Sequence, residues 1–70
     1  MSKRTSDLVK IAAAGGGMII DAGSKMTNDL IAIAAASNNK IILKNADKKM
    51  SSDLVRIASA GKGNVIFDLS

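Results

Sequence analysis

An α/β fold of three helix-strand repeats, forming a three-stranded parallel sheet with its helices on one face, is what this 70-residue sequence predicts. Three observations predict it. A ten-residue segment occurs three times, as Thr5-Ser6-Asp7-Leu8-Val9-Lys10-Ile11-Ala12-Ala13-Ala14, Thr27-Asn28-Asp29-Leu30-Ile31-Ala32-Ile33-Ala34-Ala35-Ala36 and Ser51-Ser52-Asp53-Leu54-Val55-Arg56-Ile57-Ala58-Ser59-Ala60. Each copy is followed, after a break of small or polar residues, by a short apolar run: Met18-Ile19-Ile20, Ile41-Ile42-Leu43 and Val65-Ile66-Phe67. The copies start at residues 5, 27 and 51, a period that fits one helix-strand unit of a repeat protein. The sequence thus divides into repeats 5–26, 27–50 and 51–70 of a single domain spanning 1–70.

The first helix is predicted from Thr5, whose hydroxyl is suited to cap a backbone N–H, with Asp7 in the first turn against the positive end of the helix dipole. Thr27 with Asp29 and Ser51 with Asp53 repeat the arrangement. First-turn aspartates after a hydroxyl residue are an ordinary helix start, so their regular spacing does not argue for catalysis or metal binding. Leu8, Ile11 and Ala12, and the equivalents Leu30, Ile33, Ala34 and Leu54, Ile57, Ala58, fall at i, i+3, i+4 and define one packed face. Lys10, Ala32 and Arg56 are expected to face water. Helices of about ten residues are marginal alone, so packing must hold them.

Gly15-Gly16-Gly17, Ser37-Asn38-Asn39 and Gly61-Lys62-Gly63 end the helices, where Gly or Asn takes the left-handed conformation of a C-cap. The strands follow as Met18-Ile19-Ile20-Asp21-Ala22, Ile41-Ile42-Leu43-Lys44-Asn45 and Val65-Ile66-Phe67-Asp68-Leu69. The shorter first repeat is explained by one residue fewer in its helix-to-strand loop and one fewer in its strand-to-helix loop. Strands joined through a helix run parallel, with right-handed crossovers expected. In period and layout these units resemble the strand-plus-helix coils of leucine-rich repeats. The LxxLxLxxN/C consensus is missing, so the resemblance implies an architecture and no ligand site.

Alternation along the strands places Met18, Ile20 and Ala22, then Ile41, Leu43 and Asn45, then Val65, Phe67 and Leu69 on the face under the helices. The opposite face carries Ile19, Ile42 and Ile66 as one row and Asp21, Lys44 and Asp68 as the next. Charges of alternating sign contribute about 0.2 to 1 kcal/mol per pair, enough to favour this register over a slipped one. Parallel sheets are seldom left bare on one side, which makes the isoleucine row a candidate interaction surface. The last strand, Val65-Ile66-Phe67-Asp68-Leu69, has no following repeat and neither lysine nor proline to blunt its edge. Pairing of that edge with a twofold copy is the expected route to a homo-oligomer.

Composition bounds the function. The sequence has no cysteine and no histidine, which removes disulfides, thiolate metal sites and the commonest general base. Asp21, Lys44 and Asp68 are the one cluster of titratable groups, and a lysine between two carboxylates stays protonated, suiting structure better than chemistry. Gly15-Gly16-Gly17 and Ala60-Gly61-Lys62-Gly63 end helices and enter strands, the reverse of a phosphate loop. No enzyme activity and no cofactor are expected. Lys3 and Arg4 precede an apolar stretch, but Asp7 and Lys10 interrupt it, so a signal peptide is rejected and a soluble, cytoplasmic protein expected. Ten Lys and Arg against six Asp give a net charge of +4, spread through every repeat. Lys3, Arg4, Lys25, Lys48 and Lys49 precede successive helices and are the candidate stripe for nucleic-acid phosphates, but no aromatic platform accompanies them. The favoured expectation is a small interaction or assembly module, with weak, sequence-independent polyanion binding as the alternative.

Overall fold

The computed structural model describes residues 4–69. Helix α1 (Thr5–Ala13) leads into strand β1 (Met18–Asp21), α2 (Thr27–Ala36) into β2 (Ile41–Lys44), and α3 (Ser51–Gly61) into β3 (Val65–Phe67). The strands form one parallel sheet in the order β1-β2-β3, in register Met18 to Ile41 to Val65 and Ile20 to Leu43 to Phe67. The helices pack side by side in the same order, α1 on α2 and α2 on α3. The chain is therefore the α/β repeat fold that its sequence predicts. Among the described residues no helix is long and apolar enough to cross a membrane.

The core lies between the helix layer and the sheet. Leu30, Ile33 and Ala34 of α2 meet Ile41 and Leu43 of β2, and all five are buried. Ala12, Ile20 and Ile57 complete the core from the outer repeats, with Met18, Val65 and Phe67 packed partly against it. Burying an aliphatic side chain of this size contributes about 1.5 to 3 kcal/mol. The central repeat, covered on both sides, collects most of that gain.

The helix starts differ from expectation by one residue. Arg4, Met26 and Met50, in extended conformation, are the caps, and no side chain caps any of the three helices. Thr5, Thr27 and Ser51 are already helical, because the chain turns at the preceding residue. The Met26 carbonyl accepts from the N–H groups of Asp29 at 3.0 Å and Leu30 at 3.1 Å, and Met50 does the same in α3. The threonine hydroxyl is thereby left for a neighbour.

The helix ends differ from one another. Gly15, at φ +98°, makes the left-handed turn after α1, as expected. Ser37 is extended instead, its hydroxyl donating to the Ala34 carbonyl at 2.6 Å. Asn38 and Asn39 do not adopt the left-handed form expected of them. Their side-chain amides reach back to the Ala13 and Gly15 carbonyls at 3.3 and 3.0 Å, binding the β2 entry to the end of α1. Gly61 is not the turn residue but the last residue of α3, and a Cβ there would run into Val65 Cγ2. The left-handed turn falls instead on Lys62, φ 52°, and Gly63, φ 87°.

The strands are shorter than the five residues expected. Ala22–Ser24 and Ala46–Lys48 each form one 3-10 turn leading to the next helix, with Ala22 and Ala46 fully buried beneath it. Asn45 is the residue that the first strand-to-helix loop lacks. It sits in the left-handed region at φ 59° and is exposed, so it leaves the inward row to which alternation assigned it. Leu69 leaves that row too, lying beyond β3 and exposed.

Candidate functional site

Two surfaces emerge from this fold: the sheet face opposite the helices, and the outer flanks of the first and last repeats. On the sheet face Ile19, Ile42 and Ile66 stand in register as one row, as the alternation predicts. Ile19 is 68% and Ile66 45% exposed, while Ile42 between them is half-buried. A shallow depression along the row is lined by Gly17, Met18, Ile19, Lys40 and Ile42.

The neighbouring charged row is organised otherwise than by ion pairing of Asp21 with Lys44. Asp21 stands opposite Lys44 in the sheet, but its carboxylate accepts from Asn45 Nδ2 at 3.0 Å and from the Gly23 N–H at 2.9 Å. These bonds, Asn45 first, with the positive charges of Lys48 and Lys44 adding through space, hold its carboxyl below the usual carboxylate range. Asp68 continues β3 inward, its N–H donating to the Leu43 carbonyl at 2.9 Å and its carbonyl accepting from Ala46.

At the β3 edge the hydrogen-bond parity identifies which groups face outward. Asn64 and Asp68 bond towards β2, so by the alternation of a strand Val65 and Phe67 turn their N–H and C=O groups outward. On the opposite side of the sheet Met18 bonds towards β2, which turns the backbone of Ile19 to the free edge of β1. Val65 and Phe67 are half-buried through their side chains, and Ile66 and Leu69 add exposed apolar surface.

The flanks were not anticipated. Equivalent residues of the three helices differ in exposure according to which neighbour each helix has. Ile11 of α1 is 40% exposed, whereas its equivalents Ile33 and Ile57 are at 1% and 0%. Ala12 and Ala34 are buried and Ala58 exposed. Val9 and Ile31 are partly covered, but Val55 is 67% exposed. The expected packing faces of α1 and α3 are thus each corrected at one position, Ile11 and Ala58. The reason is geometric: the face is two-sided, the isoleucine turning to the preceding helix and the alanine to the following one. A two-sided reading of the repeat would have found this, since Ile and Ala are one residue apart.

The basic stripe is partly committed within the fold. Lys49 Nζ donates to the Lys25 carbonyl at 2.6 Å, and Lys48 and Arg4 are exposed; Lys3 lies outside the described residues. Met26 and Met50, the caps of α2 and α3 that follow Lys25 and Lys49 in the chain, are exposed apolar residues that the sequence did not single out. Among the described residues no three acidic side chains converge on a common point. Compared with known protein families, curated proteins and solved structures, this chain matches none.

Proposed function

We propose that this chain is a small, non-enzymatic assembly module that associates with further copies of itself through the open edge of its sheet. The observation that carries the reading is the β3 edge, where Val65 and Phe67 turn backbone donors and acceptors outward beside exposed Val55, Ile66 and Leu69. An edge of this kind is a template for another strand, and apolar surface around it adds affinity. The isoleucine row on the sheet face supports assembly less strongly, because it amounts to three side chains with Ile42 already half-covered.

Polyanion binding is the weaker alternative, since Lys49 is turned to a backbone carbonyl. The two readings respond oppositely to salt. Phosphate contacts weaken steeply as salt rises, while apolar and backbone pairing does not. Size-exclusion chromatography with light scattering, over a range of concentrations, tests the proposal together with the variant Ile42→Lys. Particles larger than one chain that persist in high salt and survive Ile42→Lys support the edge. Loss of association on Ile42→Lys transfers the interface to the sheet face. A single chain at every concentration, with salt-sensitive retention of nucleic acid, favours the alternative.

A further inference from the structure

The contact between α2 and α3 is written again, half on each end of the molecule. Within the chain, Thr27 and Ala34 of α2 face Asp53 and Gly61 of α3, and the i, i+4 spacing of a helix sets Ile31 and Ile57 between these two contacts. Thr27 Oγ1 donates to Asp53 Oδ2 at 3.3 Å, Ile57 is buried, and a Cβ placed on Gly61 would lie 3.5 Å from Ala34 Cβ. The first stripe recurs on the outer side of α3 as Ser51, Val55 and Ala58, all exposed. The second recurs on α1 as Asp7 and Ile11, while Gly15, the sequence counterpart of Gly61, lies past the end of α1 in the left-handed turn. Each flank therefore lacks what the other supplies: a hydroxyl for a carboxylate and a β-branched residue for an isoleucine.

From this complementarity we infer that copies of the chain join head to tail, the C-terminal flank of one against the N-terminal flank of the next. This inference rests on the self-association proposed above and adds its direction. The sheet edges agree with it. If the internal register continues, Val65 of one copy stands beside Met18 of the next and Phe67 beside Ile20. The outward Val65 carbonyl and Phe67 N–H then bracket the outward N–H and C=O of Ile19 of the next copy, as a parallel ladder requires. The isoleucine row runs on across the joint without interruption.

A twofold pairing of β3 with β3 would instead set Val55 and Ala58 against themselves and leave Ile11 bare. The head-to-tail joint is heterologous, and its operation is the small step of one repeat, so it generates open chains that lengthen with concentration. One feature opposes it: Asp68 falls beside Asp21 of the next copy, a like-charge pair that destabilises adjacent strands. Together with the net charge of +4 on each copy, that pair makes added salt tighten the assembly.

The test is a complementation experiment. Ile11→Lys blocks the N-terminal flank and Ala58→Arg the C-terminal flank; both positions are exposed, and far-UV circular dichroism checks that the fold is kept. Val55→Lys, on the same flank as Ala58, stands in if Ala58→Arg unfolds, and Asp7→Lys stands in for Ile11→Lys. By light scattering the unmodified chain is expected to gain mass with concentration without a plateau. Each variant alone is expected to remain a single chain, and their equimolar mixture to reach twice that mass. If the C-terminal variant stays monomeric while Ile11→Lys still dimerises, the joint is twofold at β3. The direction is then wrong, and self-association stands. If neither variant lowers the mass, association runs through the sheet face and the flank assignment is overturned. An unmodified chain that is monomeric throughout removes both this inference and the proposal beneath it.

Discussion

The central repeat and the two outer ones are built from nearly the same ten helical residues, yet only α2 buries its full face. Ile33 and Ala34, adjacent in sequence, are both covered, one by α1 and the other by α3. In α1 only the alanine, Ala12, is covered, and in α3 only the isoleucine, Ile57. This helix therefore has two apolar edges rather than one apolar stripe, and a repeat is completed only by neighbours on both sides. What the outer repeats leave unburied is the same surface that holds the inner one together.

The largest effect expected from this contrast is in core truncation. Ile33→Ala should cost about 2 to 5 kcal/mol, as for other buried isoleucines, and take away much of the stability of so small a domain. Ile11→Ala, chemically identical, should cost distinctly less than Ile33→Ala, about 1 to 2 kcal/mol, because Ile11 is already 40% exposed and leaves a smaller cavity. Urea unfolding at low protein concentration compares the two; equal midpoints would erase the distinction between inner and outer repeats. Enlargement reads the same contrast from the other side. Ala34→Leu has to push α3 away and should cost about 1 to 3 kcal/mol, whereas Ala58→Leu should be close to neutral.

A smaller effect is expected at the helix starts. Thr27→Val removes the donor to Asp53 and should cost about 0.5 to 1.5 kcal/mol. The equivalent Ser51→Ala, exposed on the outer flank, should stay within about 0.5 kcal/mol in the monomer. Near-equal losses would mean that the Thr27 bond contributes nothing beyond its geometry.

The smallest effect concerns Asp21. Its carboxyl is held low by Asn45 and the Gly23 N–H, so its stabilisation is present above the unfolded-state value and disappears as pH falls through the folded one. Asn45→Ala should move the Asp21 titration, followed by NMR, upward toward the ordinary carboxylate range. An unmoved titration would show that Asn45 does not hold the group.

Much of this was legible in the sequence. Three copies of one decamer and three apolar runs define the elements, and helix-joined strands run parallel in chain order. The sheet-face row of Ile19, Ile42 and Ile66 follows from period-two alternation alone. Other features depend on contacts that a repeat pattern does not contain. Thr27 looks like a cap until Met26 is seen to be the extended residue and Asp53 the hydroxyl's partner. Asn38 and Asn39 look like turn residues, but they strap the end of α1. Asn45, the extra residue of its loop, turns left-handed and leaves the strand, which a fixed alternation does not foresee. Ile11 and Ala58 were placed on a buried face because a pattern describes an interior unit, and only the count of neighbours reveals where the ends lie.

Whether the surface between repeats continues beyond the molecule is read from the molar mass of the unmodified chain, by light scattering across concentration at low and at high salt. With head-to-tail joining the mass rises with concentration and rises further when salt is added. A mass of one chain under every condition would contradict it.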